Sequence, residues 1–231
     1  MSAFEEYRFS PAQFSGVVRL FPIPNLVMFP NVMQPLRVFE PRYCELLRDA
    51  MDGDRFVTLA VLASGWQADY EGRPRLQPFA CLGKVAACQE CDDGTHNILL
   101  VGLRRVHLLK ELPPTKAYRE ATALVCEDVY PPNQHERRAE LKRELYGRLS
   151  EWLPGLPEVR EQLGQLLHST VSLGVLTDIL SYALEIDSAE KEVLLSEANV
   201  HRRAELLLGH LAASPDEGHA VAGFPPDFST N

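Results

Sequence analysis

A chain of 231 residues with 45% hydrophobic and 24% charged residues can bury a sizeable core without metal or disulfide staples, and this balance excludes wholesale disorder. Its formal net charge of −9 disfavours a phosphate backbone as partner unless a local basic patch overrides the global field. The five cysteines (Cys44, Cys81, Cys88, Cys91 and Cys126) are odd in number and follow no secretory leader, which fits reduced thiols in the cytoplasm; no apolar run approaches the about 18 residues that cross a bilayer.

Residues 1–15 form a polar and aromatic lead-in without clear periodicity. Val17–Phe21 and Met33–Phe39 read as strands, and Pro22, Pro24 and Pro30, which cannot donate to a ladder, place the stretch between them in a loop or at an edge. Pro41 suits the first turn of a helix to about Met51, with Leu46, Leu47 and Ala50 on its apolar side. Phe56–Ala63 is a short apolar run of buried-strand type, and a long surface loop over residues 64–78 carries Trp66 and Tyr70. Phe79–Cys88, a turn at Asp92-Asp93-Gly94, His96–Val101, Arg105–Leu109 and Tyr118–Tyr130 continue the β pattern. Residues 16–130 therefore read as a mostly antiparallel sheet or barrel with one helix.

Composition changes at Pro131-Pro132. Asn133 and Glu136 resemble a capping box, and Leu141, Leu145, Leu149 and Trp152 then recur at helical spacing. Leu163, Leu166 and Leu167 mark a second helix, and Leu173, Leu176, Leu180 and Leu184 a third. Asp187 and Glu190 cap a fourth, whose Val193, Val200, Ala204, Leu207 and Leu211 hold one face apolar. Residues 131–213 thus read as a helical bundle, residues 214–231 as a disordered tail, and the whole as α+β.

Catalytic patterns are sparse. The sequence contains no G-x-x-x-x-G-K-[ST], no G-x-S-x-G and no H-E-x-x-H. Ser188-Ala-Glu-Lys191 matches S-x-x-K, but a hydrophilic helix start explains it. Cys81, Cys88, Cys91 and His96 are the one quartet that could be tested for metal or redox chemistry, although a tetrahedral zinc site would need a second close ligand pair. Neither metal nor cofactor is expected, and the chain reads as non-enzymatic. Arg137-Arg138 with Lys142-Arg143, and Arg202-Arg203, lie in Glu-rich helical patterns and read as solvated faces.

The run Leu20-Phe-Pro-Ile-Pro-Asn-Leu-Val-Met-Phe-Pro30 is followed by Gln34-Pro-Leu-Arg-Val-Phe-Glu-Pro-Arg-Tyr43. Together they resemble the amino-terminal substrate-binding domain of the Lon protease family, with its "LFP…N…FP" loop and "LPL-x-IFEPRY" segment; Met33-Gln34-Pro35 departs from the usual leucine before the proline. Gly102-Leu-Arg-Arg-Val106, Leu176-Thr-Asp-Ile179 and Val200-His-Arg-Arg203 extend the resemblance over roughly residues 15–213. It implies a PUA-like β pseudo-barrel followed by a helical bundle, in a stand-alone protein without the family's ATPase and peptidase. It also implies an adaptor for unfolded or damaged polypeptides, with a separate protease or chaperone as a further partner.

Leu26, Val27, Met28, Phe29 and Pro30, with Met33, are the candidate polypeptide contacts, since prolines can hold an apolar loop out towards a partner and Met adapts to varied surfaces. Phe39, Glu40, Pro41, Arg42 and Tyr43 are expected to fix the strand-to-helix corner. Two alternatives follow: RNA binding on the PUA-like fold through Arg104 and Arg105, and a small-molecule site under the Trp66 and Tyr70 loop.

Overall fold

The computed structural model describes residues 9–70, 72–152 and 171–213. The expected helix around Leu163, Leu166 and Leu167 and the tail from residue 214 lie outside the described residues. The chain divides into two compact units at Cys126/Glu127.

The first unit is a barrel. Its strands are β1 (Val17–Ile23), β2 (Met33–Val38), β3 (Phe56–Leu62), β4 (Leu76–Glu90), β5 (His96–Glu111) and β6 (Arg119–Cys126), with helix α1 (Pro41–Met51) between β2 and β3. The order β2-β5-β4-β3-β1-β6 closes through an additional β5–β6 pairing, so that five strands form a ring and β2 flanks β5. The sheet is mixed, because β1 runs parallel to β3 while the other pairs are antiparallel. A parallel pair requires a long crossover, here the loop, β2 and α1. Leu20, Ala60, Ala80, Leu82, Val106 and Ala121 fill the interior, and Phe9 of the lead-in packs there beside Phe56. Helix α1 buries Tyr43, Leu46, Leu47 and Ala50 and packs across β1 and β3.

Three local expectations are corrected. The strand expected to end at Phe21 runs through Pro22 to Ile23, with Pro22 in the edge alternative: pairing with β6 has ended at Leu20, and at Pro22 only the ladder to β3 continues. The two expected strands around residue 102 are one strand of 16 residues whose first half pairs with β2 and second half with β6. Asn133 adopts a positive φ of 57°, so the first helix of the second unit starts beyond it at His135.

The second unit contains α2 (His135–Trp152), α3 (Leu173–Ala183), α4 (Ser188–Ser196) and α5 (Val200–Ala213) among the described residues. Helix α5 packs on α2 and α3. Leu141, Leu145, Leu176, Leu180, Val200, Ala204 and Leu207 are all buried there, as their spacing predicts, but the expected fourth helix is two, α4 and α5, and its Val193 is 54% exposed. Ser172 caps α3 by accepting from the Val175 amide, and Asp187 caps α4 by accepting from the Glu190 amide.

Candidate functional site

The Pro-flanked loop between β1 and β2 is interior. Val27, Met28 and Phe29 are 2%, 1% and 0% exposed, Pro30 is buried, and Leu26 and Met33 are half-buried. The expectation that these residues form an exposed contact loop is therefore corrected. Backbone geometry supplies the reason. The Asn31 amide donates to the Gly102 carbonyl at 2.9 Å, and the Gly102 amide donates to the Val32 carbonyl at 2.9 Å. The loop thus straps across β5 at the point where its partner changes from β2 to β6, satisfying polar groups that neither ladder reaches. A Cβ on residue 102 would lie 2.1 Å from the Phe29 carbonyl oxygen, so this approach requires glycine.

The corner residues form a connected set on the barrel surface. Glu40 accepts from Arg42 Nε at 2.8 Å and from the Tyr70 hydroxyl at 3.1 Å. The Arg42 guanidinium lies 4.8 Å from the Tyr43 ring centre and 5.7 Å from that of Tyr70. Tyr43 is buried against Phe21, with centroids 4.3 Å apart, and its hydroxyl donates to the Pro22 carbonyl. Burial pushes the Tyr43 hydroxyl pKa far above the usual phenol value. Within the loop Tyr70 also meets Trp66 edge-on at 5.5 Å, and its bond to Glu40 ties the loop to this corner. Pro41 and Phe39 point outward, Phe39 with 43% exposure.

Beside the corner lies an open cleft of about 560 Å³, lined by Arg42, Tyr43, Arg73, Lys116, Tyr118 and Arg119 among others. Its cations were not legible as a site, because they come from three separated segments. Arg119 and Arg73 both donate to Glu111, and Lys116 and the Tyr118 hydroxyl both donate to Asp49, at 2.8 and 2.7 Å. Burial pushes the Glu111 carboxyl up, but Arg119 and Arg73 together hold it below its ordinary range. Hydrogen bonds from Lys116 and Tyr118 likewise lower Asp49.

Carboxylates depressed in the folded state contribute stability that is present above their ordinary values and is lost as pH falls through the folded ones. Tm is therefore expected to fall on acidification below roughly pH 4. The combined variant Asp49→Asn/Glu111→Gln should start from a lower Tm at neutral pH and show a shallower acid limb; an acid limb identical to wild type would contradict the assignment.

The remaining sequence candidates are dispersed. Cys81 is buried in β4, Cys88 is exposed further along it, and no three His, Cys, Asp or Glu side chains among the described residues converge as metal ligands. Arg105 is only 3% exposed and Arg104 is half-buried over the Phe9 ring, so the pair makes no open patch for phosphates. Lys191 donates to the Tyr182 carbonyl at 2.9 Å, and desolvation lowers its pKa, Glu185 opposing. Arg203, expected on a solvated face, is wholly buried.

One surface feature escaped sequence reading. Val106 and Ala123 turn into the barrel, so the alternation of β5 and β6 places His107 and Leu124 on the outer face, opposite each other in register. Phe79 of β4 is opposite His107 on its other side, and their rings stack at 4.9 Å. Leu124 is 58% exposed, and Leu109, at an irregularity of the β5–β6 ladder, is 52% exposed. Phe79, His107, Leu109 and Leu124 thus make an outer row across three strands, apolar apart from His107, half-buried at the ring pair and open at Leu109 and Leu124. The adjacent apolar pairs Leu108-Leu109 and Leu124-Val125 were the available signal, since an apolar residue at both parities of a strand must leave one outside.

Among the described residues no helix is long and apolar enough to cross a membrane. The chain resembles the Lon N-terminal domain protein of Xanthomonas campestris, at 21% identity and a TM-score of 0.58 over 84% of this chain and 97% of that one. It also resembles the N-terminal domain of the Mycobacterium avium complex Lon protease, at 15% identity and a TM-score of 0.66 over 85% and 98%. In sequence it is 25% identical to a Lon protease of Cytophaga hutchinsonii over 88% of this chain, and spans only 25% of that protein's length. Against the Lon protease of Xanthomonas oryzae pv. oryzae it is 26% identical over 82% of this chain and spans 22% of the relative. Residues 17–213 match the family described as the ATP-dependent protease La (LON) substrate-binding domain, and with that match covering most of its length, the chain belongs to the LON substrate-binding domain family.

Proposed function

We propose that this chain is a non-enzymatic module that binds unfolded or damaged polypeptide segments on the outer apolar row of its barrel. The family description supplies the expectation of a bound protein substrate. The observation that carries the reading is the exposure of Leu109 and Leu124, at 52% and 58%, beside the stacked Phe79–His107 pair. An apolar row on a sheet face offers unfolded chains what they expose and native proteins conceal, and an aromatic pair adds area at little entropic cost. Binding on such a face needs neither nucleotide nor cofactor. The module would pass its segment to an ATPase and peptidase, whether in the same polypeptide or in a partner.

The test is equilibrium anisotropy with one labelled protein in its reduced, permanently unfolded form and in its native form. The unfolded form is expected to bind at least about tenfold more tightly, without ATP. Equal affinity for both forms, or none for either, would contradict the reading.

A further inference from the structure

The cleft beside the corner gathers cations on a chain of net negative charge, with carboxylates set behind them: Glu111 and Asp49 pair with three of the four, and Glu45 and Glu120 lie near Lys116. The chain has a net charge of −9, yet Arg42, Arg73, Lys116 and Arg119 line this one depression, and Glu40 is the single carboxylate among its described lining residues. Glu40 is engaged by Arg42 and Tyr70. Glu111 and Asp49, which pair with the other cations, lie outside the lining. Glu111 serves two guanidiniums, those of Arg73 and Arg119, so their cluster keeps a surplus positive charge.

The cations are also graded by depth. Arg119 has a side-chain exposure of 10% and is fixed by two bonds to Glu111, whereas Arg73 and Lys116 retain 40% and 45% and can reorient towards an incoming group. A buried guanidinium with two exposed, ion-paired cations at the rim is suited to an anion that enters from solvent and competes for them.

We propose that this cleft binds a carboxylate carried by a polypeptide segment, either a chain's terminal carboxylate or an Asp or Glu side chain. A long polyanion would have to lay its flanking phosphates over the acidic remainder of the protein, whereas one carboxylate on an otherwise neutral segment meets only the cleft. The exposed Pro41, Pro114 and Ala117, which also line the cleft, give the rest of such a segment a small apolar and backbone surface. This inference deepens the polypeptide-binding reading by naming a chemical preference in the bound segment, and it rests on that reading only for the class of ligand.

The test uses the full chain and a labelled ten-residue neutral peptide in four forms: free C-terminal acid, C-terminal amide, amide with one internal Glu, and amide with Gln at that position. Either acid form is expected to bind about tenfold more tightly than its neutral counterpart, the scale of one charge-assisted hydrogen-bonded pair. The two acid arms separate a terminal from a side-chain carboxylate. Arg73→Gln/Lys116→Gln should bring the acid-to-neutral ratio close to one, and Arg37→Gln, which removes an exposed ion pair with Asp93 elsewhere on the barrel, should leave it unchanged. Equal binding of acid and neutral peptides would overturn the proposal while leaving unfolded-chain capture intact. Absence of binding by every form would overturn it too, as would tighter retention of an RNA ten-mer that Arg73→Gln/Lys116→Gln abolishes.

Discussion

Replacing Arg203 by Met is expected to cost the chain about 3–5 kcal/mol of stability, the range for removing one partner from a buried ion network. Arg203 lies on α5 with no exposed surface. Its Nε donates to the Thr177 hydroxyl at 2.9 Å, its Nη1 to the Glu197 carbonyl at 2.8 Å, and both terminal nitrogens to Asp128 at 3.0 Å, with Asp178 at 3.5 Å. A Met of similar length fills the space but removes the cation from Asp178, which is itself only 1% exposed. The cost therefore comes from the carboxylates left behind more than from the bonds lost. Arg203→Lys should fall between the two, because an ammonium cannot reproduce the planar fork that reaches Thr177 and Asp128 together. Arg203→Met/Asp178→Leu should recover part of the loss by removing a buried carboxylate that has lost the guanidinium. Urea denaturation followed by far-UV circular dichroism reads all three; a midpoint for Arg203→Met within error of wild type would contradict the network's assigned weight.

Phe29→Ala is expected to be comparably severe, at about 3–5 kcal/mol for truncating a buried aromatic ring. Phe29 has no exposed surface, and its own carbonyl sits where any side chain on residue 102 would have to be placed. Gly102→Ala approaches the same strap from the opposite side and should cost about 1–3 kcal/mol by overpacking, unless the loop lifts away from β5 and loses more. These two substitutions separate the interior role of the loop from a contact role. If the loop is core, both lower Tm, and any loss of polypeptide capture follows the unfolded fraction. An unchanged Tm with lost capture in Phe29→Ala would return the contact role to the loop.

The contrast between these residues shows what could be read in advance. Leu141, Leu145, Leu176 and Leu180 recur at helical spacing, and such a pattern is a local property that survives whatever the chain packs against. The hairpin at Asp93-Gly94 was equally local, with Gly94 at φ 78° and the Cys91 amide bonded to the Thr95 carbonyl. The family resemblance was legible because both halves of its motif lie within one short stretch, Leu20 to Tyr43.

The interior position of Phe29 was not legible. A Pro-flanked apolar loop can face in or out, and the residue that decides, Gly102, is far along the chain. Arg203 looked solvated in a Glu-rich helix, and its burial depends on Asp128 and Thr177, which lie on other segments of the second unit. The cleft is hidden for the same reason, since Arg42, Arg73 and Lys116 become neighbours only when the barrel closes. Pro22 could be read only as loop or edge, because a proline's cost in a strand depends on whether a neighbour needs its missing donor; the ladder to β6 has already ended there, which is the edge case.

The outer apolar row carries the functional reading, so its removal is the most direct test. Leu109→Ser/Leu124→Ser alters two exposed side chains and should move stability by no more than about 1 kcal/mol in total. Anisotropy with the labelled, permanently unfolded protein is predicted to show a loss of affinity of about tenfold or more, from the apolar area that a bound segment would no longer cover. Wild-type affinity in this double variant, at unchanged Tm, would contradict the assignment of polypeptide binding to this face.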